Sequence, residues 1–212
     1  MTVRVKICGL STPDTVAAAV DAGADWIGLV RFARSPRHVG LDTARALSAQ
    51  ARGRAGRVVL LVDPDDAAVA AAVEAIDPDL IQLHGSESPE RVDAIRHLSG
   101  RPVMKALGIA SRTDLDRVAG YASADRLLLD AKPPPGAALP GGNGRAFDWN
   151  LIAGAALPAG WMLSGGLDAD SVAEALARTG AHAVDVSSGV ETAPGVKDAD
   201  RIAAFVRAAR AA

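Results

Sequence analysis

Two side chains in this sequence are suited to moving protons, a thiol and a carboxyl, and each closes a β-branched apolar run. Cys8 ends Val3-Arg-Val-Lys-Ile-Cys8, and Asp130 ends Arg126-Leu-Leu-Leu-Asp130. Along a strand the side chains alternate, so Arg4, Lys6 and Cys8 share one face while Val3, Val5 and Ile7 share the other. A cation beside a thiol favours the thiolate, so Lys6 is expected to lower the Cys8 pKa. A thiolate and a protonated carboxyl across one substrate make a base and acid pair. The competing readings are an inert buried cysteine and, for Asp130, a helix cap or a partner for Lys132.

Other run ends are polar as well. Gln82 and His84 share a face of Leu80–His84, and Asp185 lies in Ala183–Val186. His84, followed by Gly85, fits a ligand contact or a polar residue closing a turn. Arg37, in Ser35-Pro36-Arg37, offers a planar fork suited to a substrate carboxylate, although Arg31 and Arg34 nearby also fit an ordinary solvated arginine. Lys6 and Lys105 read as buried partners of inward carboxylates, and Asp63 before Pro64 as a cap. Gly165 and Gly166 follow Ser164, and Ser188 and Gly189 follow Ser187. Glycine lets backbone N–H groups approach an anion, and a short helix after the second loop would add its dipole. Turn glycines are the alternative. His38, His84, His97 and His182 stand apart, so no metal site is expected, and proton transfers by a thiol and a carboxyl need no cofactor.

The elements that must position these groups alternate. Strands are expected at Trp26–Val30, Arg57–Val62, Leu80–His84, Pro102–Leu107, Arg126–Asp130, Gly160–Leu163 and Ala183–Val186, after the first run. Helices are expected between them, among them Leu41–Ala51, a short one at Arg112–Val118, Asp168–Thr179 and Lys197–Ala209. Eight such units predict an α/β fold, a closed (β/α)8 TIM barrel forming one domain over 1–212, somewhat shorter than the typical ~250 residues. An open doubly wound sheet would use fewer strands, and no G-x-G-x-x-G follows the first strand. Barrel sites form at the C-terminal strand ends, and the loops after strands 7 and 8 commonly hold phosphate. The long irregular segment 131–147, with Pro133 to Pro135 and Gly141-Gly-Asn-Gly144, fits a functional loop.

Composition narrows the class. The 212 residues carry a formal net charge of -2 and one cysteine. That balance offers no footprint for nucleic acid or an anionic membrane, and the lone cysteine excludes an intrachain disulfide. Lacking a signal core or a long apolar run, the chain reads as cytoplasmic, a monomer or homodimer acting on a small molecule.

Taken together, several blocks resemble phosphoribosylanthranilate isomerase. They are Lys6-Ile-Cys-Gly9, Gly28 with Ser35-Pro36-Arg37, Gln82-Leu-His-Gly85, Leu129-Asp130 with Gly141-Gly-x-Gly144 and Phe147-Asp-Trp149, Leu163-Ser-Gly-Gly-Leu167, and Asp185-Val-Ser-Ser-Gly-Val-Glu191 with Gly195-x-Lys197-Asp198. The match runs in order from Val3 to about Arg201. The resemblance implies an enzyme of tryptophan biosynthesis that converts N-(5'-phosphoribosyl)anthranilate to 1-(2-carboxyphenylamino)-1-deoxyribulose 5-phosphate, an Amadori rearrangement. It implies Cys8 as general base and Asp130 as general acid, with Arg37 on the anthranilate carboxylate. Gly165, Gly166, Ser188 and Gly189 would meet the phosphate, and Gln82, His84 and Asp185 the rest of the substrate. The loop after strand 2 departs from the family pattern at Arg31, where an aromatic or another apolar residue is usual.

Two other classes compete. Another phosphosugar barrel enzyme, a synthase or a metal-dependent epimerase, would need a Lys/Glu set or strand-end metal ligands that the sequence does not offer. A non-catalytic phosphate-ligand sensor would keep the glycine loops and tolerate loss of Cys8 and Asp130, both of which are present.

Overall fold

The fold is described from a computed structural model covering residues 2–132, 136, 139, 141 and 148–212. Pro133 to Pro135, the 142–144 part of the glycine block, and Phe147 lie outside the described residues. Eight parallel strands close into a barrel: β1 (Arg4–Cys8), β2 (Trp26–Val30), β3 (Gly56–Leu61), β4 (Leu80–Leu83), β5 (Val103–Ile109), β6 (Arg126–Ala131), β7 (Met162–Leu163) and β8 (Ala183–Val186). β1 pairs with both β2 and β8, so the sheet has no edge.

Helices α1 (Pro13–Asp21), α2 (Leu41–Ala51), α3 (Asp66–Ile76), α4 (Pro89–Ser99), α5 (Val172–Thr179) and α6 (Ala199–Ala211) pack on the outside. Their starts follow local chemistry: Thr12, Asp65, Ser88 and Asp198 each accept a backbone N–H three residues on. The crossover after β5 is a 3₁₀ run, Arg112–Tyr121, longer than the expected short helix. Asp114 fixes its start, accepting from the N–H groups of Ala110 and Ser111 at 2.9 Å each. After β8 come a three-residue 3₁₀ turn (Ser188–Val190) and an antiparallel hairpin of β9 (Glu191–Ala193) and β10 (Val196–Lys197) that sequence patterning does not reveal.

Alternation along the strands separates two cores. Outward residues such as Ile7, Leu29, Leu61, Leu83 and Leu129 meet the helices. Each such burial stabilises by about 1.5–3 kcal/mol. Inside, Trp26, Val58, Leu80, Met104, Leu128 and Met162 fill the N-terminal half. Arg4 and Arg126 stack on the Trp26 ring at 5.5 and 5.4 Å and close that end. The next inward rungs are polar, with Lys6, Gln82, Asp130 and Asp185 all buried. A barrel that is apolar below and polar above has its chemistry at the upper mouth.

Candidate active site

The upper mouth opens into a cavity lined by apolar side chains and a few convergent polar groups, the make-up of a small-molecule site. Cys8 from β1 and Asp130 from β6 both line it. Arg37, Gln82, His84 and Asp185 line it too, as do Gly165, Gly166 and Ser188. Of the residues expected from sequence, only Gly189 stands behind the lining. A methyl there would overlap the Leu167 carbonyl, so its bare backbone lets the loops after β7 and β8 meet.

Cys8 is buried between opposing charges. A methyl on Gly28, the residue opposite Cys8 in the β1–β2 register, would lie 2.9 Å from Cys8 Sγ and 3.0 Å from Lys6 Nζ. Gly28 therefore leaves room for thiol and ammonium to meet. Burial pushes the Cys8 thiol up, outweighing the pull of Lys6, and Asp185 adds to the rise. This corrects the expectation of a lowered pKa: Lys6 restrains the shift without reversing it. Although burial opposes its charge, Lys6 itself is held above its ordinary value by Asp185 and Cys8. Its Nζ donates to Asp185 Oδ1 at 2.7 Å, the expected ion pair with an inward carboxylate. Ser164 Oγ donates to the other oxygen of Asp185 at 3.2 Å.

Across the mouth, Asp130 Oδ1 accepts from the Ala131 N–H at 2.8 Å, and Oδ2 lies 3.2 Å from His84 Nε2. His84 Nδ1 lies 3.1 Å from Gln82 Nε2, so a single chain of contacts runs Gln82, His84, Asp130. Gln82 therefore holds one ring nitrogen of His84, and the other faces the Asp130 carboxyl. Gln82 Oε1 is buried with no partner, a polar atom left over at the cavity wall. Gly141 packs close above: a methyl there would lie 2.5 Å from His84 Nε2 and 2.7 Å from Asp130 Oδ2.

Lys105 corrects another expectation. It points out of the barrel, and its Nζ donates to Glu87 Oε2 and to the Gly85 carbonyl, at 2.7 Å each. Glu87 also accepts from the N–H groups of Asp63 and Gly85, so this buried pair stiffens the loop that carries His84. Asp63 is not a helix cap, since Asp65 caps α3. It adopts a left-handed backbone, φ 46°, and its Oδ1 accepts from the Ser86 N–H.

On the β2 side the wall is Val30, Phe32, Leu60 and Val62. Arg31, the departure from the family pattern, turns away and donates to the Val39 carbonyl at 2.6 Å. Arg37 is buried, and its Nε and Nη2 fork onto Glu191 at 2.7 and 2.9 Å. Lys197 Nζ donates to the same carboxylate at 2.7 Å. Against the effect of burial, Arg37 and Lys197 hold Glu191 below the usual carboxylate range, and burial lowers Lys197. Sequence reasoning gave neither residue a role. Their signal in the sequence is that both stand in the blocks that carry the family resemblance, Asp185–Glu191 and Gly195-x-Lys197-Asp198.

Gly165 and Gly166 adopt φ of +94° and +64°, a region closed to most side chains. Among the described residues, the N–H groups of Gly165, Gly166 and Ser188 find no hydrogen-bond acceptor. Three unpaired donors at one rim suit an anion. Among the described residues, no group of three or more His, Cys, Asp or Glu could hold a metal ion, and no helix is long and apolar enough to cross a membrane.

Comparison with known proteins gives one answer. The family model described as N-(5'phosphoribosyl)anthranilate (PRA) isomerase matches residues 5–208. The N-(5'-phosphoribosyl)anthranilate isomerase of Azorhizobium caulinodans is 61% identical, over 100% of this chain and 93% of that protein. The protein of the same name from Rhodopseudomonas palustris is 58% identical, over 100% of this chain and 97% of its own. Among solved structures, the phosphoribosyl anthranilate isomerase of Thermotoga maritima superposes with a TM-score of 0.89 at 33% identity, covering 99% of this chain and 100% of that one. A phosphoribosyl anthranilate isomerase in complex with reduced 1-(o-carboxyphenylamino)-1-deoxyribulose 5-phosphate gives 0.86 at 32%, with the same coverage.

Proposed function

The chain belongs to the N-(5'-phosphoribosyl)anthranilate isomerase family, and from that premise we propose that Cys8 and Asp130 carry an Amadori rearrangement in its barrel mouth. The substrate is N-(5'-phosphoribosyl)anthranilate and the product 1-(2-carboxyphenylamino)-1-deoxyribulose 5-phosphate, a step of tryptophan biosynthesis. We read residues 1–212 as one domain, active as a monomer or homodimer.

Asp130 donates its proton to the ribose ring oxygen. The C1'–O bond breaks, the anthranilate nitrogen lone pair forms the C=N bond, and an open-chain iminium results. Cys8, as thiolate, then takes the C2' proton, and the C–H electrons become the enolamine double bond. Cys8 then gives its proton to C1', the C2' hydroxyl proton passes to the ionised Asp130, and the ketone forms with acid and base restored. The order of steps fits the buried thiol. Before ring opening, burial favours the neutral form; the iminium places a positive charge close by, a cation lowers a thiol's pKa, and the thiol proton passes to solvent at the open mouth before C2' is deprotonated. Each positioned proton-transfer group contributes roughly 10²–10⁴-fold.

The ends of the substrate match the rim. The unpaired N–H groups of Gly165, Gly166 and Ser188 suit the phosphate, with Gly189 setting the loop contact. The Val30, Phe32, Leu60 and Val62 wall suits an aromatic ring, with Arg37 beside it for the carboxylate. Gln82 and His84 orient Asp130, and Asp185 stands near the amine or the sugar through its bond to Lys6. The observation that carries this reading is that the thiol and the carboxyl open onto one cavity from strands on different sides of the barrel. A fluorescence assay following the disappearance of N-(5'-phosphoribosyl)anthranilate tests it. Loss of signal with the pure protein is expected, and an unchanged signal would overturn it.

A further inference from the structure

We propose that Glu191 and Lys197, the two ends of the hairpin after β8, are positioning residues for Arg37 and thereby set the preference of the site for a carboxylate-bearing substrate. The proposal rests on the reading of Arg37 as the group that meets that carboxylate.

Arg37 is pinned from three sides. Glu191 takes its Nε and Nη2 in a fork–fork pair, the geometry that fixes a guanidinium plane most firmly. Its stem lies on Gly9, where a methyl would come within 2.6 Å of Arg37 Cδ. The loop before it rests on the hairpin turn. Gly195 has φ +84°, and a methyl there would lie 2.5 Å from the Pro36 carbonyl oxygen. The hairpin is anchored in turn, since Arg201 on α6 donates to the Glu191 backbone carbonyl.

Lys197 joins this end of the site to the rest. Its Nζ donates to Glu191 Oε1 at 2.7 Å, to the Ser187 carbonyl at 2.8 Å and to Ser187 Oγ at 3.1 Å. Ser187 Oγ donates onward to the Cys8 carbonyl at 3.1 Å. One buried ammonium therefore ties the Arg37 carboxylate partner to the loop proposed for phosphate and to the end of the strand that carries the thiol. A buried ion cluster is poor evidence of stabilisation, because desolvation offsets much of the attraction. Its value here is the orientation of one guanidinium.

Positioning and simple attraction predict opposite signs. Glu191→Gln removes an anion next to Arg37. If net charge governed recognition, a carboxylate would bind more tightly; if Glu191 aims the guanidinium, it binds more weakly. Two calorimetric probes separate these outcomes: reduced 1-(o-carboxyphenylamino)-1-deoxyribulose 5-phosphate and the same compound lacking the carboxyl. The unaltered protein should prefer the carboxylated probe. In Glu191→Gln that preference should fall on the order of tenfold, the scale of one charge-assisted hydrogen bond, while the affinity for the decarboxylated probe stays unchanged. Glu191→Asp should recover part of it. Should Glu191→Gln fail to fold, Glu191→Gln with Lys197→Met removes both charges of the pair and should show the same loss. An unchanged or increased preference would overturn the proposal. Equal binding of both probes by the unaltered protein would overturn the Arg37 reading and the proposal together, whereas a normal preference untouched by the variants would overturn the proposal alone.

Discussion

Lys6 Nζ lies 2.7 Å from Asp185 Oδ1, with both side chains buried and on the same inward face as Cys8. The pair acts on the thiol with opposite signs, Lys6 lowering its pKa and Asp185 raising it, while burial outweighs both. The free-protein pH profile of kcat/KM reports the essential base. The limb of that profile that belongs to the base should therefore lie above the ordinary thiol value of about 8.5. Lys6→Met should move that limb to higher pH and Asp185→Asn to lower pH. Steady-state rates across a pH series check this, and shifts in the same direction for both variants would contradict the assigned electrostatics.

Gly165 stands against Asp130. At φ +94°, a methyl would lie 2.6 Å from the Ala131 nitrogen and 3.0 Å from Asp130 Oδ1. Gly165→Ala must strain the backbone, at about 1–3 kcal/mol, or push the acid aside. We expect a lower melting temperature together with a fall in kcat on the order of tenfold or more, since small displacements of reacting groups are costly. Calorimetry and initial rates measure both.

Arg37→Ala should raise KM on the order of tenfold or more and change kcat less, because the carboxylate lies away from the bonds that break. Glu191 keeps Lys197 as a partner, so the variant should stay folded. An unchanged KM for N-(5'-phosphoribosyl)anthranilate would remove the clamp.

Asp114 supports the crossover after β5 and holds Lys132, which lines the cavity. Although burial alone would raise it, the bonds from Lys132, Ala110 and Ser111 hold the Asp114 carboxyl well below the usual carboxylate range. A depressed pKa contributes stability that is present above the unfolded aspartate value of about 3.9 and fades as pH falls below it. Asp114→Ala should cost roughly 1–2 kcal/mol at neutral pH, as for other lost caps. Urea titrations should show that difference shrinking in acid.

Much of this was legible because strand alternation fixes which side chains face inward. The rule gave Gln82 with His84, Cys8 and Asp130, all of which meet at the cavity, and Lys6 buried beside Cys8 on the same face. It also ought to have excluded Lys105 from the interior, since Met104 and Ala106 occupy that face of β5. The sign of the Cys8 shift was not readable, because desolvation depends on how tightly the barrel closes over the thiol. Asp63 and the hairpin escaped for a different reason. Left-handed backbone at a non-glycine residue and a two-residue strand are set by tertiary contacts, which leave no periodic trace in the chain. The blocks Ser35-Pro36-Arg37 and Gly195-x-Lys197 are far apart in sequence, and only the fold brings Gly195 against Pro36.

The most direct measurement pairs turnover with binding in Cys8→Ala and Asp130→Asn. Each removes one proton-transfer group from the cavity and leaves the glycine loops and Arg37 in place. Both should bind reduced 1-(o-carboxyphenylamino)-1-deoxyribulose 5-phosphate with near-normal affinity while consuming N-(5'-phosphoribosyl)anthranilate at least roughly a hundredfold more slowly, the lower bound for a positioned acid or base. Near wild-type turnover in either variant would contradict the assignment of base and acid.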